Sequence, residues 1–307
     1  MMLAEPGVLA LVGSFAAAAV RISSPLLVAA IGETVVERSG VINLGLEGAM
    51  LAGALAAAIG GSVQGPWFGL VLAAGAGLAL MAVFAAVTIW LGADQIIAGT
   101  AVTLAAIGLT GGLYRLIYGV GGVGLSLPTF SAVSVPVLSR VPVLGPILQQ
   151  PVPVYLGFLS VPLVWLFLFR SRFGLALRAA GEAPDAARTA GVPVRWYRTA
   201  AILFGGAMGG LAGATLVLAQ VGTFAERMTA GRGFVAIAIV VLGRWHPFGA
   251  LAAALLFGLL TALQFLFQAS GTAIPYQWFL MLPYVLTLLA LALVRRRVAA
   301  PAALAKG

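Results

Sequence analysis

Groups able to do chemistry are scarce in this chain, so the few that fall inside apolar stretches stand out. In VINLGLEG, Asn43 and Glu47 are four residues apart, a spacing that on a continuous helix puts amide and carboxylate on one face. A carboxylate within an apolar span is costly and marks a functional candidate. The competing reading keeps Glu47 hydrogen-bonded within a bundle, about 10 Å from a helix end at 1.5 Å per residue. A second group, Thr223, Phe224, Glu226, Met228, Thr229 and Arg232, surrounds MTAGRG; it shapes either a pathway mouth or a solvated outer rim. Gln95, Thr100 and Thr103 add polar groups that either meet a solute or pack helices. All of these could exchange hydrogen bonds with a small neutral solute.

Bond-making chemistry has little support. With no cysteine and a single histidine, His246, thiol nucleophiles and thiolate metal sites are excluded, and neither a metal nor a cofactor is expected. No Ser, His and acid arrangement stands out. The sole lysine is Lys306, so no G-x-x-x-x-G-K-[ST] phosphate loop exists and any ATP must be bound by another subunit.

The elements that position these groups follow from composition. The chain is 62% hydrophobic and 8% charged over 307 residues, and its repeated apolar runs have the length of a bilayer-spanning helix, about 20 residues. Forty glycines suit helices whose backbones approach closely, since lipid gives no hydrophobic drive between helices. The reading is an all-α polytopic membrane helix bundle and a single permeation domain over 1–307. Nine spans are predicted, near 8–31, 41–60, 67–91, 95–118, 152–169, 199–220, 228–243, 248–267 and 275–294. The seventh is peculiar: FVAIAIVVLG is too short to cross, and broken backbone at membrane depth is tolerated only when buried in protein or lining a cavity.

The net charge of +9 follows membrane orientation rather than nucleic acid. Arg38, Arg244, the segment 170–198 and the end of the chain carry twelve of the seventeen basic residues, and an outside N-terminus with an inside C-terminus puts all twelve in the cytoplasm. Arg140, Arg227 and Arg232 fall outside, while Arg21 and Arg115 lie within spans. The Gly- and Pro-rich region 119–150 becomes a long external loop without helical period.

Within the cytoplasmic segment, GEAPDAARTAGVPVRW reads as a short, deliberately bounded helix. Glu182 and Asp185 favour its N-terminus, Pro184 its first turn, and Gly191 with Pro193 its stop. About two turns of surface helix with little to bury in its own chain suit contact with a soluble partner better than a connector.

The segment RAAGEAPDAARTAGVPVRWYRTAAILFGGAMGGLAGA, residues 178–213, resembles the coupling-helix region of ABC-importer permeases of the ribose, branched-chain amino acid and nucleoside branch. The stretches ERSGVINLGLEGAMLAGA and VGTFAERMTAGRGFVAIAIVVLGRWHPFGALAAALLFG resemble its nucleoside-type members more closely than the others. The resemblance implies that Gly181, Glu182, Asp185, Ala186, Ala187 and Gly191 engage a separate ATPase subunit. It also implies a second, unlike permease, an external solute-binding protein and a home in the prokaryotic plasma membrane. A permease for simple sugars, or a stand-alone secondary transporter, is the alternative.

Overall fold

The computed structural model describes residues 6–119, 126–133, 144–269, 277, 278, 281, 285 and 300–304. In chain order these form α1 (Pro6–Arg38), α2 (Leu46–Gln64), α3 (Pro66–Ala85), α4 (Gln95–Tyr118), β1 (Ala132–Val133), α5 (Leu144–Leu148), β2 (Gln150–Pro151) and α6 (Val152–Arg170). They continue with α7 (Arg172–Glu182), α8 (Pro184–Thr189), α9 (Val194–Leu216), α10 (Arg232–Leu242) and α11 (Pro247–Ala269). π-helical turns at Ala86–Trp90 and Val217–Val221 lengthen α3 and α9.

Among the described residues, seven helices are long and apolar enough to cross a membrane. Each overlaps a stretch predicted as a span, α9 starting five residues earlier than predicted, at Val194, whereas the predicted seventh, 228–243, becomes the 11-residue α10. At 1.5 Å per residue α10 reaches only about 16 Å, half a bilayer core. Apart from residues 277, 278, 281 and 285, the predicted ninth span, 275–294, lies outside the described residues. The first span is longer than predicted and ends only at Arg38, where Ser39 and Gly40 turn the chain. Region 119–150 contains a two-residue antiparallel pair, Ala132 opposite Pro151 and Val133 opposite Gln150, and the short helix α5.

The bundle is organised around α9, which packs against α1, α2 and α3. Glycine makes this approach possible. A Cβ on Gly53 of α2 would lie 2.4 Å from the Gly210 Cα of α9, and one on Gly77 of α3 would lie 2.1 Å from the Gly206 carbonyl oxygen. Backbones this close gain the dispersion contacts that lipid-facing helices otherwise lack. The largest apolar cluster lies along α1, α6, α10 and α11, with Leu27, Ile31, Leu168 and Ile239 fully buried.

Arg38, Arg170, Arg178, Arg188, Arg195, Arg198 and Arg244 gather at one end of the bundle. There the Arg38 Nε donates to the Trp245 carbonyl (2.8 Å), Arg178 lies 4.9 Å from the Phe169 ring centre, and Trp90 meets Trp196 edge-on at 5.2 Å. At the opposite end Arg115 and Glu226 form a two-pronged ion pair at 2.8 Å and Arg21 donates to Gln150 at 3.1 Å.

Candidate functional site

The most constrained polar arrangement surrounds Glu47. After Gly40, at φ +88°, the chain turns back along the bundle without helical hydrogen bonds until α2 starts at Leu46. Backbone in a span needs partners, and α4 supplies them. The Gln95 Oε1 accepts from the Ile42 N–H (2.9 Å), and the Thr103 hydroxyl donates to the Leu44 carbonyl (2.9 Å). Gln95 and Thr103 therefore hold the irregular segment. Thr100 is exposed and donates to the Ile96 carbonyl of its own helix.

The expectation that Asn43 and Glu47 share a helix face is overturned, because Asn43 precedes α2. Its Nδ2 donates instead to the Glu33 Oε2 at 3.1 Å on α1. The Asn43 Oδ1 and Glu33 Oε1 are buried without a partner among the described residues. Glu47, 5% exposed, reaches across to the start of α10. Its Oε1 accepts from the Thr229 hydroxyl (2.6 Å) and the Gly231 N–H (2.8 Å), and its Oε2 accepts from the Gly233 N–H (2.6 Å). The carboxylate thus satisfies donors that a helix N-terminus leaves orphaned, and its charge opposes the positive ends of both α10 and its own α2. Gly233 is required for this approach, since a Cβ there would lie 2.6 Å from the Glu47 N and Cα. Because α10 is half a span long, Glu47 sits roughly 16 Å from the Gly243 turn, deeper than the sequence spacing implies.

The group predicted around MTAGRG separates into different environments. Thr229 turns inward to Glu47. Phe224 is buried, its ring 5.2 Å from Tyr114, and Met228 packs on the same apolar cluster. Glu226 faces outward to Arg115, whose guanidinium holds the Glu226 carboxyl below the usual carboxylate range. Thr223 is partly exposed. Arg227 and Ala230 have φ of +58° and +47°, a left-handed conformation that L side chains rarely adopt and that tertiary contacts must impose. Arg232 donates to the Met228 carbonyl (2.8 Å) and borders a cleft of about 530 Å³ between α1, α10, α11 and the π-turn after α9. Gln220, Thr261 and Gln264 add polar groups to that cleft. These three were not singled out from the sequence, where isolated Gln and Thr in apolar helices carry no distinguishing pattern.

At the arginine-rich end, Ser171 starts α7 by accepting from the Gly174 N–H at 2.9 Å. Pro184 disfavours helix at the preceding residue, and Ala183 leaves the helical region at φ −146°, ψ 75°. The short α8 then starts at Pro184, and Gly191 stops it at φ +82° with Pro193 following. The Arg188 guanidinium pairs with Asp185 at 2.9 Å. Two details differ from expectation. Glu182 ends α7 rather than starting α8, and it faces Arg38 at 3.9 Å. Ala187 is 4% exposed, buried against Ala180 and Val194, so the helix does bury a face within its own chain. Asp185, Ala186, Arg188 and Thr189 form the exposed face. Gly181 lies against α1, where a Cβ would be 2.2 Å from the Arg38 carbonyl oxygen, and the Arg198 Nε donates to the Ser39 carbonyl at 3.2 Å. His246 lies beside Phe169 and Phe248, its ring tilted to theirs with centres 5.2 and 5.9 Å away, and burial with the nearby Arg38 cation pushes its pKa down.

A family model described as branched-chain amino acid transport system, permease component, matches residues 15–291. Three curated relatives are similar over most of their length. The "Putative glucose ABC transporter permease protein TsgC13" of Haloferax volcanii is 41% identical over 85% of this chain and 81% of its own. The nucleoside ABC transporter permease protein NupC of Lactococcus lactis is 38% identical over 92% of each. The guanosine ABC transporter permease protein NupQ of Bacillus subtilis is 37% identical over 88% of each. No solved structure gives a significant match.

Proposed function

The chain belongs to the permease-component family of branched-chain amino acid transport systems, as a multi-pass membrane subunit of an ABC importer, and from that membership we propose that it carries nucleosides. The observation that carries the solute assignment is the similarity to two nucleoside-type permeases over nearly their whole length. In this reading an external binding protein delivers the solute, and closure of separate ATPase subunits pushes on the exposed face of α8. That push reaches α1 through the Gly181 contact, and the bundle alternates its access.

The coupling residues are Gly181, Glu182, Asp185, Ala186, Ala187 and Gly191, with Ala187 and Gly181 shaping the helix seat and Asp185 and Ala186 meeting the ATPase. The pathway runs past Thr100, Thr223, Glu226 and Arg232. Asn43, Glu47, Gln95, Phe224, Met228 and Thr229 hold the two broken segments that border it. The arginine-rich end is cytoplasmic, in line with the positive-inside bias. The second permease is an unlike chain. In support, two different glucose permease proteins of Haloferax volcanii both resemble this one, the second at 29% identity.

The glucose relative at 41% identity favours a second reading, in which the solute is a hexose. Uptake in cells expressing the importer decides between them. Permease-dependent accumulation of labelled guanosine, competed by other nucleosides and not by glucose, is expected. Glucose uptake that excess nucleoside leaves untouched would transfer the assignment to sugar.

A further inference from the structure

Four segments distant in sequence converge beneath α8, and one of them is the segment 300–304. The Ala303 N–H donates to the Gly181 carbonyl at 2.9 Å, and the Ala302 N–H donates to the Glu182 Oε2 at 3.3 Å. The Leu304 N–H closes a turn onto the Pro301 carbonyl at 3.0 Å, and the Leu304 side chain packs on the main apolar cluster. Ala303 is 4% exposed. A Cβ on Gly40 would lie 3.4 Å from the Ala303 Cβ and 3.1 Å from the Gly181 Cα, so the end of α1, the end of α7 and this segment are in mutual contact.

The Gly181 carbonyl is one of the last four of α7, which a helix leaves without an internal partner. Segment 300–304 supplies that partner. Without it the α7–α8 joint would be tied to α1 by the Gly181 backbone contact and the loose 3.9 Å pair between Arg38 and Glu182, while the Arg198 bond to Ser39 ties α9 to the same end of α1. The segment also walls a crevice of about 340 Å³ whose other side is Glu182, Pro184, Asp185, Arg188 and Arg198. This crevice opens beside the exposed face of α8, and its mixed acidic and basic lining suits a polar protein loop rather than lipid. Resting on the reading of α8 as the coupling helix, we propose that segment 300–304 is part of the ATPase-docking surface. It braces the α7–α8 joint against α1 and supplies one wall of the crevice that receives the ATPase.

The test uses the assembled importer. Ala302 is exposed, and a chain without cysteine makes Ala302→Cys its sole thiol. That thiol should label in the isolated permease and be protected in the complex with the ATPase; equal labelling in both would overturn the docking surface. A chain ending at Ala299 should insert, while uptake and the stimulation of ATP hydrolysis by loaded binding protein fall about fivefold or more, the lower range of coupling between linked sites. If truncation prevents insertion, Ala303→Arg decides in a full-length chain, since the added side chain cannot fit between Gly40 and Gly181. Wild-type uptake and stimulation in the inserted variant would overturn the brace. Ala186→Glu separates the two ideas. Lost ATPase association there, with a neutral truncation, removes the brace and leaves the coupling helix. Normal association in both removes the coupling reading and the brace with it.

Discussion

Glu47→Gln tests whether the start of α10 is held by a carboxylate. Both Glu47 oxygens accept a backbone N–H, from Gly231 at 2.8 Å and Gly233 at 2.6 Å, and Oε1 also accepts from Thr229. Glutamine keeps the shape but offers one accepting oxygen, so whichever way it turns, its amide NH2 confronts a backbone donor. A hydrogen bond to a charged group contributes about 1.5–3 kcal/mol, and a buried donor left unpaired costs about 1–3 kcal/mol. Loss of the charge also removes an interaction with two helix N-termini, up to about 2 kcal/mol where partly buried. These terms overlap, and one donor is lost rather than two, so the expected cost is about 2–4 kcal/mol for Glu47→Gln. Glu47→Ala should cost more, because both N–H groups and the Thr229 hydroxyl lose their acceptor. The assay is the equilibrium unfolding of purified permease in detergent, with guanosine uptake measured in the same variants. Assembly with the ATPase should survive in Glu47→Gln while uptake slows. Unfolding and uptake both indistinguishable from wild type would remove the charge from the account of α10.

Gly210→Leu should destabilise the bundle by about 3 kcal/mol through overpacking, because its Cβ would lie 2.1 Å from the Ala73 carbonyl oxygen; Gly75→Ala, with open space at its Cβ, should melt as wild type does, and equal melting of all three proteins would refute the backbone contact. The Arg115–Glu226 pair should show its pH dependence in acid. Because the Glu226 pKa is depressed, its contribution is present above the ordinary carboxylate pKa of about 4.3 and is lost as pH falls through the lower folded value. At low salt the melting difference between wild type and Glu226→Gln should therefore be small at neutral pH and vanish towards pH 3, and a difference independent of pH would exclude the ion pair as its source. For orientation, Ala4→Cys and Ala132→Cys should react with an impermeant thiol reagent in intact cells and Ala186→Cys should react only after permeabilisation; labelling of Ala186→Cys from outside would reverse the topology.

Composition and the length of the apolar runs were enough for the membrane bundle and for the place of its seven described spans, but not for their ends: α1 runs on to Arg38 and α9 already starts at Val194. An apolar run of span length has few alternatives when each unpaired backbone group in lipid is so costly. Pro184 and Gly191 likewise announced α8, because the start and stop of a short helix are properties of the residues at its ends. Even the weakness of the seventh span was legible, since ten apolar residues cannot cross a bilayer.

The partners of those elements were not legible. The four-residue spacing of Asn43 and Glu47 suggested a shared face only on the premise of a continuous helix, whereas α4 supplies Gln95 and Thr103 to hold that backbone unwound and Asn43 turns to Glu33. Glu47 finds its donors at Gly231 and Gly233, some 185 positions later in the chain, a separation that helical periodicity cannot register. Ala187 looked exposed because an alanine on a short charged helix gives no sign that Ala180 and Val194 will close over it. Local rules state what each segment becomes in isolation. Which buried donor meets which acceptor depends on how segments far apart in sequence are brought to the same depth, and that was decided by the packing of α1, α2, α9 and α10.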